Sequence, residues 1–104
     1  MANQQIVVAR IYLREAEHLL SKVMNFLHDE KRVAGVTVSR GITGFGADGK
    51  IHTASLLDLS LDLPLIVEFY DQPERVKEVI AGLMKEVQLS HVITWPATLH
   101  QSDA

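Results

Sequence analysis

No cysteine occurs among the 104 residues. That excludes disulfides, thiolate metal sites and cysteine nucleophiles together. Proline and glycine are sparse, at three and six, and no linker or low-complexity tract interrupts the chain. The purely apolar runs are too short for a membrane-spanning helix. Neither charge sign dominates: 10 basic and 13 acidic residues are interleaved, for a net charge of −3. Without a basic stripe, wholesale binding to nucleic acid or an anionic membrane is not expected. The opening MANQQIVV lacks a basic region followed by a long apolar one, so a signal peptide is not expected and the expected compartment is the cytoplasm.

What is present is apolar surface, 47% of the residues, enough for the core of one domain over residues 1–104. A chain this short buries only about 60–70% of its unfolded surface, a shortfall that oligomerisation would relieve. Residues Ile6 to Leu13 alternate, with Val7, Ala9, Ile11 and Leu13 on one face and Arg10 and Tyr12 on the other, so they predict a strand. A helix is predicted over Glu15 to Lys31, from Ala16, Leu19, Leu20, Val23, Met24 and Leu27 at helical spacing, with Gly35 beyond it as a stop signal.

A second strand is predicted from Val36 to Phe45, and Gly46-Ala47-Asp48-Gly49 then reverses the chain. Leu63 to Tyr70 predicts a third strand, and Pro73 to Val87 a second helix. Asp71 and Glu74 have capping-box spacing at the start of that helix. His91 to Trp95 predicts the last strand. The order β-α-β-β-α-β implies an α+β, ferredoxin-like sandwich, with two helices on one face of an antiparallel sheet. Ile6, Val8, Ile66, Ile93 and Trp95 would make the other face apolar, a face usually covered by another subunit.

The segment Arg40 to Pro64 is too long for a hairpin turn. It holds Gly41, Gly44, Gly46 and Gly49. Such dense glycine either bulges an extended hairpin or bares main chain to an anion or a base edge. Leu57, Leu59, Leu61 and Leu63 alternate with polar residues, a ridge suited to core or subunit contact. The string Arg40-Gly41-Ile42, Gly44-Phe45-Gly46, Gly49, Ile51-His52-Thr53-Ala54, Leu59-Ser60, Asp62-Leu63-Pro64 and Val67-Glu68 resembles the P-II-like family known as domain of unknown function 190. Its Gly-Phe-Gly and His-Thr parts also resemble the loop root of nitrogen-regulatory P-II signalling proteins.

The resemblance implies a homotrimer with ligand sites between subunits and a long loop, at about 46–63, that contacts a partner protein. A membrane transporter or channel is one candidate for that partner. It places Gly44, Phe45 and Gly46 in the cleft and Gly49 and Lys50 at the loop root. Arg40 and Lys50 are candidate phosphate partners; His52, Thr53 and Glu68 complete the candidate ligand-binding residues, His52 having the alternative role of pinning the loop root by a hydrogen bond, and Glu68, on the expected subunit face, accepting from ligand or from a neighbouring subunit. The implied effector is an adenine nucleotide: AMP, ADP or ATP. The stretch Lys85 to Ser90 lacks the glycine and the tail Leu99 to Ala104 the cations that nucleotide-binding P-II proteins carry. That favours one or two phosphates over three.

Catalysis is not expected. Ser39, Thr53, Ser55 and Ser60 lack an activating frame. His18, His28, His52, His91 and His100 show no metal-ligand spacing. An RNA-recognition surface would need basic strands beside Tyr12, Tyr70, Trp95 and Phe45. The architectural rival is a trimeric metal-tolerance protein of the CutA kind; a ligand-free interaction module is the other.

Overall fold

The computed structural model describes residues 2–46, 48–53, 62–89 and 91–102. Strand β1 (Ala2–Arg14) is followed by a 3-10 turn (Glu15–Glu17) and helix α1 (Leu20–Asn25), which widens into a π turn over Phe26–Glu30. Strand β2 (Gly35–Arg40) precedes two short strands, β3 (Thr43–Gly44) and β4 (His52–Thr53). Strand β5 (Pro64–Asp71), helix α2 (Pro73–Glu86) and strand β6 (Val92–Gln101) complete the order. The main sheet runs β2-β5-β1-β6, antiparallel throughout. This is the expected ferredoxin-like fold.

Alternation decides which side of the sheet is covered. Ala9, Ile11 and Leu13 of β1 and Leu65, Val67 and Phe69 of β5 pack under the helices with Val23, Phe26 and Leu27 of the first helical segment and Val76, Val79 and Leu83 of α2. The helices meet where α2 carries glycine. A Cβ on Gly82 would stand 2.9 Å from Phe26 Cζ, so the ring occupies that space. Gly82→Val is therefore expected to cost about 1–3 kcal/mol by overpacking, read as a lowered urea midpoint at unchanged slope.

Several boundaries differ from the sequence expectation; β1, for one, begins at Ala2 rather than Ile6. The first helix starts at Leu20, not Glu15. His18 sits at φ 55° in the left-handed region, and the amides of Glu15 and Ala16 are given to the Leu63 carbonyl and the Asp62 carboxylate, both at 3.0 Å. Strand β2 ends at Arg40 rather than Phe45, with one further bond in the same register, from Gly41 N–H to the Pro64 carbonyl at 2.7 Å. Asp71 does not cap α2; Gln72 is the N-cap residue, with Pro73 in the first turn. The Asp71 carboxylate instead accepts from Gln72 N (2.7 Å) and Ala34 N (3.1 Å).

The last strand runs to Gln101 rather than Trp95, through Pro96, which is in register with Val7. An edge strand tolerates proline. Pairing of β1 with β6 continues from Ile11↔Val92 out to Ala2↔Gln101, whereas β5 joins β1 only from Val7 onward. The first five residues of β1 thus form a two-stranded ribbon with β6 alone.

On the face away from the helices, Val8, Ile66 and Trp95 are half-buried, Ile93 is 46% exposed, and Ile6 is buried within the chain itself. Arg10 crosses this face. It donates from Nε (3.0 Å) and Nη2 (2.7 Å) to Glu68 Oε1, and its guanidinium lies 5.1 Å from the Trp95 ring centre. The Tyr12 side chain first, and Glu68 second, hold Arg10 further above its usual range.

Of the expected loop at 46–63, residues 47 and 54–61 lie outside the described residues, and with them Leu57, Leu59 and Leu61. Leu63 is buried at 6% exposure. Among the described residues no helix is long and apolar enough to cross a membrane.

Candidate functional site

The end of the open sheet face and the root of the Gly-rich segment meet in a cleft of about 720 Å³. Its floor is Tyr12, Ile66, His91 and Ile93. Its wall is Gly41, Thr43, Gly44, Phe45 and Gly46, with Pro64 between the two. Arg14, Glu17 and Asp48 bring charge to it. Register explains the floor. Arg10 pairs with Ile93 and Tyr12 with Ile66, so residues 12, 66, 91 and 93 share one face. The Tyr12 and His91 rings lie 5.9 Å apart, tilted by 33°.

The wall follows from the break after Arg40. Beyond it, β3 leaves the main sheet and pairs with β4, Thr43 opposite Thr53 and Gly44 opposite His52. Gly49 N–H donates to the Gly46 carbonyl at 3.0 Å to close the turn. Gly49 itself stands at φ 73°, where a side chain would be strained. Lys50 N–H is held by Asp48 Oδ1 at 3.0 Å. Phe45 is 72% exposed, a large apolar ring at the mouth of the cleft.

The sequence-derived residues thus divide. Gly44, Phe45 and Gly46 line the cleft together. Gly49, Lys50, His52 and Thr53 build the ribbon behind it and are not among the lining residues. Arg40 ends β2 and pairs with Glu15, whose hydrogen bond and charge hold the guanidinium further above its usual range. Glu68 lies on the open face, engaged by Arg10. Sequence reasoning missed Arg14 and His91. Arg14 follows the alternating run of β1 by one residue, and His91 immediately precedes β6. Neither lies in a motif, and the sheet register brings them together.

A cleft of this size falls in the range of small-molecule sites. Among the described residues it offers rings and aliphatic floor for a flat base, glycines without side chains along one wall, and the Arg14 guanidinium for an anion. A second groove of about 640 Å³ lies beside the end of α1. Its polar groups include His28 and Asp29, which satisfy each other at 2.7 Å, and it contains none of the sequence-derived residues. Among the described residues, no three histidine or acidic side chains converge to hold a metal.

Residues 6–99 match the model of family DUF190, described as Uncharacterized ACR, COG1993. A UPF0166 protein of Methanocaldococcus jannaschii is 31% identical over 91 residues, 83% of this chain and 82% of the relative. Among solved structures, CPII from Thiomonas intermedia, a nitrogen regulatory PII-like protein bound to ADP, AMP and bicarbonate, superposes with a TM-score of 0.68. The overlap covers 97% of this chain and 99% of that one at 14% identity. CutA1 from Oryza sativa superposes at 0.59, covering 95% and 84% at 13% identity. At such identities these two likenesses establish the fold.

Proposed function

Because the chain belongs to the DUF190 family, whose fold here is P-II-like, we propose that it is a non-catalytic regulator that binds an adenine nucleotide in the cleft beside Phe45. The observation that carries this reading is the cleft itself, which Gly41, Gly44 and Gly46 line together with Tyr12, His91 and Ile93. Main chain recognises phosphate or base edges without bulk, and aromatic and aliphatic surface accepts a purine. The complexes of CPII with ADP and AMP support the ligand class. Among the described lining residues Arg14 is the one arginine, which favours AMP or ADP over ATP.

The protein would act in the cytoplasm as a homotrimer. The apolar surface of Val8, Ile66, Ile93 and Trp95 supplies area for subunit contact. The segment at about 46–63 would contact the controlled protein, with a transporter or channel as one candidate.

Calorimetry and thermal melts with AMP, ADP and ATP test the reading. Ligand at a hundred times Kd adds about 2.7 kcal/mol of stability, a rise in Tm of about 10 °C for a domain of roughly 100 residues. Light scattering should give three times the 11.6 kDa of one chain. No heat and no shift with any of the three nucleotides would remove the nucleotide; a monomer would remove the shared cleft.

A further inference from the structure

At the end of the first helical segment one residue holds a backbone conformation that its side chain disfavours. The π turn over Phe26–Glu30 closes with Lys31 N–H on the Phe26 carbonyl at 3.1 Å, and Val33 N–H reaches back to the Leu27 carbonyl at 3.2 Å. Between those two donors Arg32 stands at φ 48°. A left-handed residue after the last turn is a common way to stop a helix, and glycine usually supplies it, asparagine sometimes. A Cβ makes that backbone costly. Nothing in the fold holds the arginine in return. Its neighbouring cations are engaged: Lys31 Nζ lies 5.6 Å from the Phe26 ring centre, and Arg75 donates to the Lys31 carbonyl. The exposed Arg32 has no hydrogen bond or ion pair among the described residues.

Arg32 lines the groove of about 640 Å³ beside the end of α1. The groove shares no lining residue with the cleft beside Phe45. Its apolar surface comes from Leu27, Met24, Val33 and Val36, the first fully buried and the others half-buried. His28 and Asp29 offset each other at 2.7 Å, and Glu30 is not in the lining. One uncompensated charge is left among the described lining residues, and it is positive. Free carbonyls at a helix end would repel an anion. Here the Phe26, Leu27 and Lys31 carbonyls already accept from Lys31 N–H, Val33 N–H and Arg75.

We propose that this groove binds a small aliphatic carboxylate, with Arg32 as its anchor. A guanidinium takes a carboxylate through two parallel bonds, and the tail leaves water for the Leu27, Val33 and Val36 surface. Met24, unbranched and flexible, adapts to the length of the tail. The volume lies in the range of small-molecule sites, and π turns recur at functional sites. The strained backbone of Arg32 then has a reason: the turn accepts a residue that weakens it because the ligand needs the guanidinium. Stability and binding therefore pull in opposite directions at this one position.

Calorimetric titration of the full chain with octanoate tests the proposal, with 1-octanol as the control without charge. Octanoate should bind about tenfold more tightly than 1-octanol, the scale of hydrogen bonds to a charged group. Arg32→Gln should lose that tenfold and leave 1-octanol unchanged. Arg32→Gly should lose it as well, yet raise Tm by about 5 °C, because glycine relieves the left-handed backbone. Three results each overturn the proposal: no binding of octanoate, octanoate affinity that Arg32→Gln leaves unaltered, or a lower Tm in Arg32→Gly, which would mean that the side chain serves the fold. None of them bears on the nucleotide cleft.

Discussion

Gly46→Val is expected to weaken AMP or ADP binding at least tenfold, about 1.4 kcal/mol, while stability stays within about 0.5 kcal/mol, as for surface changes away from special features. The separation follows from where the new methyl groups would go. A Cβ built on Gly46 meets nothing within 4 Å. Of the described glycines, only Gly49 has a positive φ, so position 46 carries no backbone strain for valine. The added volume would stand at the wall of the cleft. Gly41 and Gly44 are poorer tests, because a Cβ there would lie 2.7 Å and 3.3 Å from Pro64 Cγ. Valine at either would push against the start of β5 and confuse binding with folding. Calorimetry for affinity and urea melts for stability read the two effects apart. Unchanged affinity in Gly46→Val would place the ligand elsewhere.

The largest effect on stability should come from Phe69→Ala, at about 3–5 kcal/mol. Phe69 is fully buried on the strand that lies between β2 and β1, opposite Val36 on one side and Ala9 on the other. Its ring packs in the cluster with Val23, Leu27 and Val79. The neighbours hang from a four-stranded sheet and cannot collapse far into the void. A domain of this size has about 5–15 kcal/mol in total, so the variant should lie near the edge of folding at 25 °C. Chemical denaturation gives the number. A loss under about 1 kcal/mol would mean that the helices re-pack more freely than this arrangement allows.

Most of the fold was legible because burial on one face imposes a period. Alternation in β1 and β5 and the stripe of Val76, Val79 and Leu83 mark elements whose opposite sides meet different surroundings. The misread boundaries have local causes that periodicity does not register. His18 adopts a left-handed backbone although it is not glycine, so an apolar pattern continuous from Ala16 hides a break. Pro96 argues against a strand unless the strand is known to be an edge, and edge position follows from topology. The site was half legible. Gly44, Phe45 and Gly46 lie in one run, and bare main chain leaves a signature in composition. Tyr12, Arg14 and His91 come from the two ends of the chain, joined by a strand register that no local motif encodes.

Pro96 also bears on how the molecule avoids its own kind. Strand β6 presents ten residues on the outer rim of the sheet, the sort of bare margin on which foreign strands add and fibrils begin. Register with β1 passes through Pro96 unbroken, so the missing donor faces outward. Any strand laid along that rim would lose a rung near its middle. The chain thereby keeps its longest margin from seeding unlimited growth.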